Sequence, residues 1–461
     1  MTKKLIIMVF VVLISISILA AQEDHKENIE GPFESPQEVT ETCIECHEEV
    51  GEEIIKTRHW NWLGEEFDMT KHKKKRFGKL NMVNNFCVAV PSNYPRCTSC
   101  HIGYGWKDES FDFSDPLNID CLVCHETTGT YKKVPTAAGM PEEKTDLLKV
   151  AQSVKMPTRQ NCGTCHFYGG GGNGVKHGDM DNSLINPSRD LDVHMGGNDF
   201  SCTECHTAES HEINGASHGS MAQGIKHISC LDCHESDLHE NEKLNNHTGA
   251  VSCEACHIPA LGRGNPSKVW WDWSTAGKDT HFQKDEYGKE TYNKKKGDFK
   301  WAKNFKPEYR WYNGKADYYQ FGDKINPKKV VELNQLNGDV KDANAKIFPF
   351  KLMKGKQIYD KGNNYLIVPH LFGKQGYWKK WDWNLASEVG MKSVGLKYSG
   401  EYDFVETEMY IPANHTVAPK EKALKCWDCH HKTKGRLDWK ALGYPGDPMK
   451  NKGRKAVGLV K

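Results

Sequence analysis

Pro95-Arg96-Cys97-Thr98-Ser99-Cys100-His101 is the stretch on which the reading of this chain turns. Its last five residues have the form Cys-x-x-Cys-His. The form recurs at Cys43/Cys46/His47, Cys121/Cys124/His125, Cys162/Cys165/His166, Cys202/Cys205/His206, Cys230/Cys233/His234, Cys253/Cys256/His257 and Cys426/Cys429/His430. With 17 Cys and 22 His in 461 residues, chance gives roughly 0.03 such motifs. The pattern is that of haem c attachment: two thiols form thioethers to the porphyrin, and the adjacent imidazole offers an axial nitrogen to the iron. On a helical turn, positions i, i+3 and i+4 share one face, so all three groups reach one macrocycle. Zinc bound by two cysteine pairs would not need a histidine after each. The sequence therefore calls for eight covalently attached haem c groups, and it leaves Cys87 over.

Composition agrees. Only 38% of residues are hydrophobic, below the 45–50% usual for a globular core, so something other than side chains fills the interior. Lys+Arg 62 against Asp+Glu 61 gives a net charge of +1, which offers no case for nucleic acid. The chain is also too long for a small disulfide scaffold. Lys3 and Lys4, the apolar run from Leu5 to Leu19, then Ala20 and Ala21 have the order of a secretory signal. Residues 1–21 are read as that signal, so the protein is periplasmic or otherwise exported. Ile18 and Leu19 at the −3 positions keep an uncleaved membrane anchor as the alternative.

Motif density divides the rest. Residues 22–262 form a haem-dense core with motifs one to seven, 263–418 are haem-free and Trp-rich, and 419–461 carry motif eight. Ser35-Pro36-Gln37-Glu38 joins an N-cap Ser, Pro at N1 and Glu at N3, predicting a helix through the first motif. Pro141 to Lys155 and Pro419 to His431 are further helix candidates. Long alternating strands are hard to find. The fold class expected is mainly α with much irregular chain, a multihaem cytochrome c with a haem-packed core.

Eight irons need further axial ligands, and His59, His177, His194, His218, His227, His239, His247 and His415 stand near enough to motifs to supply them. His25 and His281 rank behind these; His72, His211, His370 and His431 stay open. Cys87 is read either as a buried inert thiol or as a reactive one beside a catalytic haem. The run from Phe167 to Asp181 holds Gly169 to Gly172, either a flexible linker or a close backbone approach. Lys176 within it is a candidate iron ligand, since a metal can depress a lysine's pKa. Lys132 and Lys133 are held in reserve.

Several segments resemble the octahaem tetrathionate reductase group, relatives of hydroxylamine oxidoreductase and the cytochrome c nitrite reductases. They are Asn85-Phe86-Cys87, Pro95 to His101, Tyr104-Gly105-Trp106-Lys107, Cys121 to His125, the Gly-rich segment to Asp181, Val269 to Ser274, Tyr309 to Gly314 and Ala418 to Ala423. The resemblance implies one catalytic haem, at Cys97/Cys100/His101, ligated by Lys176 from outside its own motif and lined by Cys87, with seven bis-His relay haems. Asn173 departs from the acidic residue expected in close relatives. No Cys-x-x-Cys-Lys occurs, unlike the pentahaem nitrite reductases. Only Tyr444 follows His430 as a tyrosine, which speaks against hydroxylamine oxidation. The function implied is multi-electron reduction of tetrathionate, nitrite or hydroxylamine, fed by a redox-partner cytochrome or quinol dehydrogenase. A catalytically silent electron conduit, homo-oligomeric or polymeric, is the alternative.

Overall fold

The computed structural model of the protein describes residues 25–64, 66, 67, 72, 75–215, 228–280, 283–451 and 453–458. The expected signal, residues 1–21, lies outside them, as do His218, His227 and His281. Among the described residues no helix is long and apolar enough to cross a membrane.

Helices are short, and irregular chain is abundant. Helix α1, Pro36–Cys46, starts where the N-cap was read, with the Ser35 hydroxyl accepting from the Glu38 amide. Helix α2, Arg159–His166, begins at a reciprocal cap between Thr158 and Asn161 and ends on the fourth motif's histidine. Helix α3, Cys253–His257, is the seventh motif itself. Two expectations shrink. The helix foreseen over Pro141 to Lys155 is only Leu147–Ala151, because the Asp146 side chain caps the Lys149 amide and sets a late start. The one foreseen over Pro419 to His431 splits into a 3-10 turn, Lys420–Lys422, and Cys426–Cys429.

The haem-free region holds what the periodicity did not announce, an eight-stranded mixed sheet. Its main strands are β1 (Ser267–Asp272), β2 (Gly297–Ala302), β3 (Glu308–Tyr312), β4 (Lys346–Asp360) and β5 (Tyr402–Pro412). Strand β4 is the spine. It pairs antiparallel with β5 from Phe350↔Pro412 to Asp360↔Tyr402, parallel with β1 and antiparallel with β3, while β1 pairs with β2. Burial along β4 alternates, with every odd position from Ile347 to Tyr359 buried, but that face includes Pro349, Lys351, Gly355 and Gln357, so the apolar residues themselves show no period-two signal. Helix α4, Trp383–Ser393, capped by Asp382, packs beside the sheet. The principal core gathers Trp271, Phe299, Met353, Met409 and Ile411 from the sheet with Phe86 and Val175 from the haem-dense half. The sheet therefore buttresses the segments that carry Cys87 and Lys176.

Candidate active site

One connected cavity of about 4120 Å³ is lined by all sixteen motif cysteines. Sulfur atoms of different motifs meet across it. The Cys43 thiol is in hydrogen-bonding reach of Cys121, Cys100 of Cys165, Cys162 of Cys202, and Cys230 of Cys253. Cys124 with Cys162, Cys205 with Cys233 and Cys256 with Cys429 are close electrostatic neighbours. With the motifs numbered along the chain, these contacts run from one through three, four, five, six and seven to eight, and motif two joins at four.

Two imidazoles that share one iron, each nitrogen about 2 Å from the metal, hold their ring centres roughly 6 Å apart. Six pairs have this spacing: His25 and His47 at 6.3 Å, His59 and His166 at 6.1 Å, His194 and His234 at 6.1 Å, His206 and His415 at 6.2 Å, His239 and His257 at 6.2 Å, His247 and His430 at 6.2 Å. Each pair contains one motif histidine. Where these rings hydrogen bond, they use Nδ1: His206 donates to Asn214 O, His239 to Asn245 Oδ1, His247 to Lys243 O, His415 to Asp179 and His430 to Asp447. Nε2 is thereby left for a metal. At motif three, His125 Nδ1 donates to Lys155 O at 2.8 Å, and His211 Nδ1 lies 2.8 Å from Glu53. Both rings line the cavity. Burial and, further down, the charge of His211 lower the His125 pKa.

His59, His194, His239, His247 and His415 thus face motif imidazoles. His177, expected as a distal ligand, does not; among the described residues its ring has no motif histidine across from it. It is buried near Lys176, His415 and His166. His25 is the facing histidine that the sequence reading ranked behind the others.

Motif two breaks the pattern. His101 is the motif histidine that does not line the cavity. Its ring is 0% exposed and packs against Trp60, Trp62 and Trp106 at 4.9, 5.4 and 4.7 Å between centres. Its nitrogens are used in the reverse sense: Nε2 donates to Trp60 O at 2.6 Å, and Nδ1 is buried without a partner. Burial drives the ring's pKa down to about 3, keeping it neutral. The nitrogen through which His101 was expected to ligate its own haem is thus engaged with a backbone carbonyl.

A family model for cytochrome c554 and c-prime matches residues 42–126, and one for bacterial cytochrome c matches 268–433. An uncharacterized protein of Archaeoglobus fulgidus is 25% identical over 241 residues, 41% of this chain and 80% of that one. The crystal structure of an octahaem cytochrome c from Shewanella oneidensis is matched at 52% identity and a TM-score of 0.88, over 93% of this chain and 98% of that one. The chain belongs to the octahaem cytochromes c. It carries eight covalently attached haem c groups, and the cysteine-lined cavity with its facing imidazoles fits them.

In this octahaem cytochrome c the surroundings of motif two are built from the Gly-rich loop and the sheet. The loop is no flexible linker. Gly170, at φ +79°, lies so close to Phe86 that an added Cβ would meet its carbonyl at 3.1 Å and its ring at 3.0 Å. Lys176 lines the cavity, and its amine stands 5.9 Å from the Phe86 ring, with no acceptor bonded to it among the described residues. Burial, helped by the charge of Lys79, pulls its pKa down to about 8. Neither reserve lysine matches this: the Lys133 amine is paired with Asp120 at 2.8 Å and donates to His101 O at 2.6 Å, while Lys132 is exposed.

Cys87 is held against the sheet. The Asn85 side chain donates to Met353 O at 2.7 Å and Gln357 to Asn84 O at 2.9 Å, while an added Cβ on Gly355 would sit 3.0 Å from Asn85 Cβ. The half-buried thiol lines the cavity and acts electrostatically on Cys97, Lys268 and Lys296. Lys268 is buried with its amine 3.2 Å from the Phe299 ring centre and 4.2 Å from that of Trp271. Asn173 exchanges hydrogen bonds with Asn182 at 2.8 and 2.9 Å, which fixes the loop without offering an acid.

Proposed function

We propose that this octahaem cytochrome c is an exported multi-electron reductase of small sulfur or nitrogen substrates, of the tetrathionate, nitrite and hydroxylamine class, acting at haem two. The observation that carries the reading is the exchange at motif two: His101 gives its Nε2 to Trp60, and the unpartnered amine of Lys176 lines the cavity. Lys176 would then hold the haem-two iron in place of His101, with substrate reaching that iron from the cavity. The haem, when bound, supplies electron transfer and the open metal position. Lys296 places positive charge where an anion would gather negative charge on reduction. Cys87 offers a thiol for exchange with sulfur substrates. The seven other haems relay electrons from a redox-partner cytochrome or quinol dehydrogenase, entering at the exposed ends: Cys46 and His47 at motif one, or Cys426 and Trp427 at motif eight.

The contact path from motif one to motif eight bypasses motif two, and this favours a silent conduit as the second reading. A reduced-dye assay with tetrathionate, nitrite and hydroxylamine separates the two. Lys176→Ala should change the EPR signal of one haem of eight, that of haem two, and cut turnover by roughly 100-fold. An unaltered spectrum, with no turnover in the parent protein, would leave the conduit.

A further inference from the structure

Lys351 lies in the middle of β4, 1% exposed, and among the described residues no carboxylate forms an ion pair with it. Burying an ammonium this way is costly, and a well-packed apolar residue would serve a sheet core at least as well. What the amine does instead is collect acceptors. It donates to Val175 O at 2.7 Å, Lys176 O at 2.9 Å and Ser267 Oγ at 2.7 Å. Three donors meet three acceptors. Ser267 Oγ reaches on to Gly174 O at 2.9 Å and His177 O at 2.8 Å. The Lys268 amide also donates to Gly174 O, and the Gly262 amide to Gly178 O. Consecutive carbonyls from 174 to 178 are thus all gripped by the sheet strands β1 and β4 and the turn that precedes them. Glycine is needed for the approach: at Gly174, φ +68°, an added Cβ would meet Pro266 O at 2.8 Å, and at Gly178 it would meet the Lys351 Cβ at 3.3 Å.

We propose that Lys351, acting with Ser267, is a positioning residue for haem two: it fixes the backbone of the 174–178 loop so that the Lys176 amine is held at the iron. This rests on the reading of Lys176 as the ligand of that haem. An untethered loop would let a long, flexible side chain sample the cavity, and ligation would become partial. A bidentate tether from a rigid strand removes that freedom before the amine ever meets the metal.

The test uses the full-length, haem-loaded protein and reads EPR together with the haem count. Lys351→Met keeps the stem and removes every donor. The expected result is eight haems, unchanged bis-imidazole signals, and a haem-two signal that splits into two populations, one of them matching that of Lys176→Ala, accompanied by a roughly ten- to hundredfold loss of turnover. A purely structural Lys351 predicts a lower melting temperature with an intact haem-two signal, and that outcome overturns the proposal. If Lys351→Met fails to give the eight-haem protein, Ser267→Ala, which removes one hydroxyl, decides by the same signal: a second population supports the tether and an unchanged signal refutes it. Lys176→Ala is the reference. Should it alter haem two while neither tether variant does, the positioning role falls and the ligand assignment stands. Should it alter nothing, both fall.

Discussion

Motif two and motif eight share five letters of sequence pattern and do opposite things with them. At motif eight, His430 commits Nδ1 to Asp447 at 2.6 Å and keeps Nε2 toward His247. At motif two, His101 commits Nε2 to the Trp60 carbonyl, and an aromatic box holds the ring. The difference lies outside both motifs, in a carboxylate seventeen positions on in one case and a tryptophan carbonyl upstream in the other. Attachment is thus specified by the motif, whereas ligation is specified by whichever group takes the second ring nitrogen.

The largest test of what the two sites share is to withhold haem. With an apolar fraction of 38%, the chain should be unable to offset its conformational entropy and should be digested throughout its haem-dense half in limited proteolysis. The contrast itself is sharpened by removing the partner imidazoles. His25→Ala and His247→Ala should each turn one low-spin haem high-spin in EPR and leave the haem-two signal untouched; a change at haem two would mean that the sites are not independent. At motif two alone, Cys87→Ser should lower tetrathionate turnover by roughly tenfold more than nitrite turnover, because only the sulfur substrate exchanges bonds with a thiolate. Equal losses would assign the thiol to packing.

The smallest effect expected is at haem five. Asp179 is buried, and burial raises its carboxyl pKa, but hydrogen bonding and charge from His415 outweigh this and hold it below the ordinary value. A carboxylate on the second nitrogen makes an imidazole a more basic ligand and favours the oxidised iron. Asp179→Asn should therefore raise one midpoint potential in a redox titration by on the order of tens of millivolts, 59 mV being a tenfold change for one electron.

The attachment sites were legible because covalent chemistry demands a fixed local spacing, and no fold is needed to see it. Helix α1 was legible for a similar reason: Ser35, Pro36 and Glu38 act within one turn. The facing imidazoles were only half legible. His59 and His247 lie close in sequence to motifs but face the histidines of motifs four and eight, so nearness in the chain picked out the residues and not the rings they face. His25 was ranked behind the others, and His211, five positions after His206, was left open. The commitment of His101 to a backbone carbonyl leaves no trace in side-chain identity. The sheet was missed because the buried face of β4 carries Pro349, Lys351, Gly355 and Gln357 among its apolar residues, and Lys351 reads as one more surface charge until its three acceptors are seen.

The order of sulfur contacts gives the molecule a branched plan. Motif four touches three others, two, three and five, whereas motif two meets only motif four among the described sulfur contacts. In circuit terms the fourth haem is a junction, and the two arms beyond it are reservoirs of unequal size, one of two haems and one of four. Losing a haem at the tip of either arm would shrink the store of charge but leave haem two connected. Losing the fourth would cut haem two off from both reservoirs at once, so, with haem two as the proposed outlet, a redox centre that never meets substrate would govern whether the stored electrons can be spent.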